Sequence, residues 1–203
     1  SGPSYVQGLA CDAQGRLYVC DYAQDKVWVY DEKGSLVKAI LVPNPREIDV
    51  HKKTGEIYVL CELGAKREKP LGMETWGKGV AGKKIVLKKL GPLNDPKPLV
   101  QQEFEVTAAA VASQPLLCVD SWATPTRVWL VHRTQSVTVY AEKAGGWELE
   151  DDFEKDVQGA GLAPCFFGGS AEMDDKFGVD PVRGHLYVWG GFPSTAGTFS
   201  PSR

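Results

Sequence analysis

A hairpin that recurs four times constrains this chain more than any other feature, because a repeat at a fixed period dictates how the whole fold must be assembled. Residues 8–21 read GLACDAQGRLYVCD, 47–61 read EIDVHKKTGEIYVLC and 176–191 read KFGVDPVRGHLYVWGG. Residues 116–132, LLCVDSWATPTRVWLVH, follow the same plan with a longer turn that lacks glycine. Each unit is a short apolar strand, a polar turn and a second strand carrying an aromatic among aliphatics. Superposition places Leu17, Ile57, Val128 and Leu186 at one position and Tyr18, Tyr58, Trp129 and Tyr187 at the next. β-Branched and aromatic residues in short runs bounded by Gly, Asp and Lys form strands and hairpins.

A third strand follows each complete hairpin: Lys26–Tyr30, Lys84–Leu90 and Ser136–Tyr140. Turns such as Asp31–Gly34 and Glu142–Gly145 then lead to fourth strands at Leu36–Ile40, Leu99–Val106 and Trp147–Glu150. Four antiparallel strands in about 40 residues make a β-propeller blade, whose strands read as continuous apolar runs because neighbours cover both faces. A β-sandwich would explain the strands but not their shared register. The expected fold class is therefore all-β, a partial β-propeller of about three and a half four-stranded blades. Its expected parts are blade 1 at about 5–40, blade 2 at about 45–106 with an insertion at 62–84, and blade 3 at about 115–151. A linker insertion at 151–175, a blade 4 hairpin at 176–191 and a tail at 192–203 without further strand pattern complete it.

Residues 8–34, GLACDAQGRLYVCDYAQDKVWVYDEKG, resemble a single NHL repeat. They show a G-hydrophobic-x-x-D-x-x-G-x-hydrophobic-Y-V-x-D hairpin and then x-V-x-V-Y-D-x-x-G. The later units depart from it, having Cys61, His132 and Gly190 where Asp21 ends the first unit's second strand. The resemblance implies a six-bladed ring, a scaffold that serves both as a binding surface and as a lyase, hydrolase or lactonase. It also implies an extracytoplasmic setting, periplasmic or secreted. Fold alone selects none of these activities.

An open arc of blades exposes a sheet face at each end. A protein partner or a ring-completing segment is therefore expected. Nucleic acid is not, because 23 Lys and Arg against 26 Asp and Glu leave a net charge of −3. No apolar stretch reaches the roughly 18 to 20 residues of a membrane span. The five cysteines show no CxxC spacing, which argues against a disulfide scaffold or zinc knuckle. Cys11, Cys20 and Cys118 lie in apolar runs and read as small buried hydrophobes.

With the strands of a blade lettered a to d from the axis outward, the a–b and c–d turns share one end of the sheet. The b–c and d–a connections share the other. The short a–b turns (DAQG, KKTG, PVRG) mark the first as featureless, and both long excursions, 62–84 and 151–175, fall on the second. Connections of that length more often carry function than not. The first holds six basic residues against three acidic, together with Trp76, and reads as a grip for an anionic or aromatic ligand or as a solvated loop. The second sets Cys165 beside Phe166 and Phe167 and ends in Glu172, Asp174 and Asp175, carboxylates suited to Ca²⁺ or another divalent cation.

His132 begins a b–c connection on the same end. Gln7, Arg46, Glu47, Pro115 and Asp175 precede the first strands and line the expected axial mouth. Arg46 suits a carboxylate or phosphate, or a bridge to Asp175 or Glu47. Two functions follow: a binding module that uses the insertion-bearing end, or a metal-assisted hydrolase or lyase with its site at the mouth. For the latter, Glu47, His132, Glu172, Asp174 and Asp175 form the pool of ligands and acid–base groups.

Overall fold

The computed structural model describes residues 4–63, 84–105, 116–132 and 136–152, with the strand backbones of 176–179, 186–189 and 197–199. Every described element is a strand. The chain divides into two compact units, 1–108 and 109–203.

The first unit holds two four-stranded antiparallel meanders. Sheet I runs β1 (Val6–Cys11), β2 (Leu17–Asp21), β3 (Lys26–Tyr30) and β4 (Leu36–Leu41). Sheet II runs β5 (Pro45–Val50), β6 (Ile57–Glu62), β7 (Lys84–Leu90) and β8 (Pro98–Glu105). The second unit holds sheet III, made of β9 (Leu116–Asp120), β10 (Arg127–His132), β11 (Ser136–Lys143) and β12 (Gly146–Asp152). It also holds a three-stranded sheet IV of β13 (Lys176–Val179), β14 (Leu186–Trp189) and β15 (Gly197–Phe199). These four sheets are the blades of a partial propeller. β15 lies in the tail expected to be strandless; GTF is too short and too glycine-rich to show a pattern, and pairing with the edge of β14 makes it a strand.

The register confirms the repeat. Leu17 pairs with Tyr30, Ile57 with Leu90 and Val128 with Tyr140, so equivalent residues oppose equivalent residues in three sheets. The aromatic that follows, Tyr18, Tyr58 or Trp129, is fully buried each time. A bulge recurs between the third and fourth strands, at Val29/Tyr30, Lys89/Leu90 and Val139/Tyr140. Bulges bend and twist a strand locally, so a shared one gives each sheet the same twist.

In the first unit β1 lies against β5, and β2 also touches β5. The two first strands come so close that a Cβ on Gly8 would stand 2.8 Å from the Arg46 carbonyl oxygen and 2.8 Å from Glu47 Cα. Only glycine fits that approach. Tyr18, Cys20, Val27, Val29 and Ile40 of sheet I pack on Ile48, Val50, Ile57, Val59, Cys61, Val86 and Leu90 of sheet II in one buried cluster. In the second unit β9 lies against β13, the same juxtaposition of first strands.

The cysteines divide. Cys20 and Cys61 are buried, and Cys118 is half-buried, but Cys11 is exposed. Cys11 sits opposite Leu17, on the side of sheet I that sheet II does not cover, so its apolar neighbours in sequence do not bury it.

Candidate functional site

The two ends of the first unit are built differently. At the end carrying the a–b and c–d turns, each side chain that opens a turn closes it. Asp12 Oδ1 accepts from the amides of Gln14 (2.9 Å) and Arg16 (3.0 Å). Asp31 Oδ1 does the same for Lys33 (2.9 Å) and Ser35 (2.8 Å). His51 replaces the carboxylate in the equivalent turn of sheet II, its Nδ1 accepting from the amides of Lys53 (3.3 Å) and Thr54 (3.1 Å). Gly15, Gly34 and Gly55 complete these turns at φ of 74°, 79° and 74°. Asp12 Oδ2 also takes Arg16 Nε at 2.6 Å and the Tyr18 hydroxyl at 3.0 Å. Burial pushes the Tyr18 hydroxyl up to about 12, aided by the Asp12 charge.

This end is not featureless as expected. A cavity of about 310 Å³ opens between the turns of the two sheets, lined by Asp12, Arg16, His51, Lys52 and Thr54 among others. Pro92, Leu93 and Asn94 of the β7–β8 link complete its lining. Two of its cationic side chains are engaged: Lys52 Nζ bonds the Cys11 carbonyl at 2.6 Å and Asp49 at 3.2 Å, and Arg16 is held by Asp12.

The opposite end, from which the 62–84 connection leaves, is tied across long stretches of sequence. Arg46 lies in the bulge of β5, between Pro45 and Glu47, which turns its side chain inward. It forms a buried ion pair with Glu62, the last residue of β6. Tyr22 donates its hydroxyl to the other Glu62 oxygen at 3.0 Å. The Glu62 amide donates to the Asn44 carbonyl at 3.0 Å, and the Asn44 amide donates to Asp25 Oδ1 at 2.9 Å. Asp25 and Asn44 both hold positive φ, 52° and 48°, a conformation these residue types tolerate. Asp21 gathers the chain's beginning, accepting from Ser4 Oγ (2.6 Å), Trp28 Nε1 (3.2 Å) and the amides of Tyr5 and Gln24 (3.2 Å each). Burial alone would raise the Asp21 carboxyl, but these donors outweigh it and hold it below its ordinary value.

Arg46 and Glu47 lie inside β5 and Gln7 inside β1; none of them precedes its strand. The bulge aims Arg46 at Glu62, which takes the place of the expected bridge to Glu47. Its Nε is buried without a hydrogen-bond partner among the described residues. Glu47 stands near Cys20 and, after burial and Cys61, adds to the pressure that raises that thiol well above its usual range. Burial pushes Cys61 up to about 12. Neither thiol is a nucleophile at neutral pH. The His132 backbone pairs with Ser136. The side chain of His132, and all of Trp76, Cys165, Phe166, Glu172, Asp174 and Asp175, lie outside the described residues. Among the described residues no three His, Cys, Asp or Glu side chains stand together as a metal set, and no helix is long and apolar enough to cross a membrane.

Glu62, Tyr22, Asn44 and Asp25 were not visible as a group in the sequence. The one signal was a carboxylate at the end of the second strand in the first two sheets, Asp21 in sheet I and Glu62, displaced by one position, in sheet II.

No family model matches the chain, and no curated protein matches it. Among solved structures it is similar to a gluconolactonase from Xanthomonas campestris at 17% identity and TM-score 0.46, covering 95% of this chain and 58% of that one. It is also similar to a protein from Lactobacillus plantarum, at 11% identity and TM-score 0.43 over 96% of this chain and 70% of that one. Virginiamycin B lyase from Staphylococcus aureus gives 9% identity and TM-score 0.41, over 98% and 70%. The chain thus spans less than two thirds of the first of these. Such values transfer no residue role.

Proposed function

We propose that this chain is an NHL-like propeller binding module that engages a protein partner or ligand through the sheet ends from which 62–84 and 151–175 depart. The observation that carries the reading is the buried Tyr22–Glu62–Arg46 tie, which fixes the root of the first excursion to the neighbouring sheet. A buried ion pair is a costly anchor, stabilising only when its geometry is well satisfied, and a loop that merely floats in solvent needs none. In this reading Trp76 and the basic residues of 64–83 supply the contact, with Cys165, Phe166 and the carboxylates Glu172, Asp174 and Asp175 on the second excursion.

The test is to immobilise the chain, expose it to extract of its source cells and compare the retained proteins with two variants. Replacing 66–82 by a Gly/Ser linker is expected to abolish specific retention, whereas Thr54→Ala at the opposite end leaves it intact. Identical retention by all three would overturn the proposal. Ca²⁺-dependent turnover of a lactone by the purified chain would overturn it in favour of catalysis.

A further inference from the structure

The cavity between the turns of sheets I and II carries a charge pattern for which the insertion-bearing end has no use. Three cations, Arg16, Lys52 and Lys53, line it against one carboxylate, Asp12. That carboxylate is already saturated: Oδ1 accepts from the amides of Gln14 and Arg16, and Oδ2 from Arg16 Nε and the Tyr18 hydroxyl. What the lining offers is donors. Arg16 spends its Nε–H on Asp12 and one Nη2–H on Gln14, leaving both hydrogens of Nη1 and the second of Nη2 without an acceptor among the described residues. Gln14 turns Oε1 to Arg16 at 3.0 Å, and since a guanidinium cannot accept, its Nε2 is left to donate elsewhere. Where sheet I has Arg16, the repeat sets Glu56 in sheet II, and that carboxylate is paired with Lys89 at 2.9 Å.

The walls are fixed before any ligand arrives. Asp12 and His51 close the two turns, and the β7–β8 link is closed by its own backbone, Asp95 donating to the Pro92 carbonyl at 2.8 Å and Gly91 to that of Lys97 at 2.9 Å. Lys38 of sheet I holds the Leu93 carbonyl at 2.9 Å. The volume of about 310 Å³ meets the lower end of small-molecule sites, about 300–1,000 Å³. A guanidinium held in place beside an amide donor suits a carboxylate or phosphate, whose oxygens it can take in pairs. We propose that this cavity binds a small organic oxyanion, its carboxylate or phosphate head held by Arg16 and Gln14 with Lys53 adding charge, and its body lying against Ala13 and Pro92.

Phenyl phosphate, benzoate and neutral benzamide share a ring and differ in the head, so titrating each into the isotope-labelled chain separates charge from shape. At least one anion should saturably shift the backbone amide resonances of Ala13–Arg16, Lys53–Gly55 and Asn94, and benzamide should not. The tighter of the two anions then tells phosphate from carboxylate. Gln14→Glu keeps an acceptor for Arg16 while exchanging the amide donor for a negative charge; Kd should rise about tenfold or more at unchanged melting temperature. Lys53→Ala should raise it about threefold. Replacing 66–82 by a Gly/Ser linker should leave it unchanged, which keeps this site separate from the one at the other end. No saturable shift with either anion up to about 10 mM would overturn the proposal. So would an equal response to benzamide, or a Kd that ignores Gln14→Glu.

Discussion

Asp12–Arg16 and Arg46–Glu62 are ion pairs at opposite ends of the first unit, and they do different work. Asp12 and Arg16 are four residues apart, the Arg16 side chain is one-third exposed, and the pair tightens a turn that its own backbone already makes. Arg46 and Glu62 come from separate strands, both are buried, and with Tyr22 they tie one sheet to the next. Each short turn is closed from within; the insertion-bearing end is held by partners far apart in sequence. Charge pairing near the surface is cheap to lose, whereas removing half of a buried pair strands the other charge without water.

Glu62→Ala should therefore cost the most, about 3–5 kcal/mol by denaturant unfolding, because Arg46 is left charged and buried. Replacing both Arg46 and Glu62 by Met and Leu should recover much of that loss, since an apolar pair removes the stranded charge. A double variant no more stable than Glu62→Ala would break the contrast between the two ends.

Asp12→Ala comes next at about 1–3 kcal/mol, set by the buried Tyr18 hydroxyl that loses its acceptor and not by Arg16, which can return to water. If Arg16→Ala proved equally costly, the turn would depend on the ion pair and the comparison would need redrawing.

How much of this was legible in the sequence divides along the same line. The strands, the buried Tyr18, Tyr58 and Trp129, and the Asp–x–x–Gly turn at Asp12 were readable because their determinants lie within a few residues of each other. The Arg46–Glu62–Tyr22 tie was not, since nothing in a single sequence says that residues 22, 46 and 62 converge. The exposure of Cys11 escaped for a related reason: an apolar run shows that a face seeks cover, not whether cover is there. The cavity beside His51 arises from how two turns are spaced, which their separate sequences do not encode.

Acid should loosen both ends together. The Asp12 carboxyl, like that of Asp21, is depressed although burial acts to raise it, because Arg16, Gln14 and Tyr18 donate to it. A depressed carboxyl stabilises the fold fully above its unfolded value, near 3.9, and that contribution disappears as pH falls through the folded value. Melting temperature should thus drop as pH is lowered from about 6 to about 3, and the drop should shrink in Asp12→Asn and in Asp21→Asn. A drop of the same size in both variants would place the acid sensitivity elsewhere. The smallest effect belongs to Lys52→Met, whose partly exposed ammonium bridges Cys11 and Asp49; within about 0.5 kcal/mol of no change is expected.

The ladder between β6 and β7 is paired without interruption from Ile57 opposite Leu90 to Glu62 opposite Ile85. Whatever joins these strands is added outside a finished framework, and the entropic charge for joining them grows only as the logarithm of length, about 0.6 kcal/mol for each doubling. The sequence of residues 64–83 can then be rewritten, lengthened or shortened at little risk to the folding of sheet II.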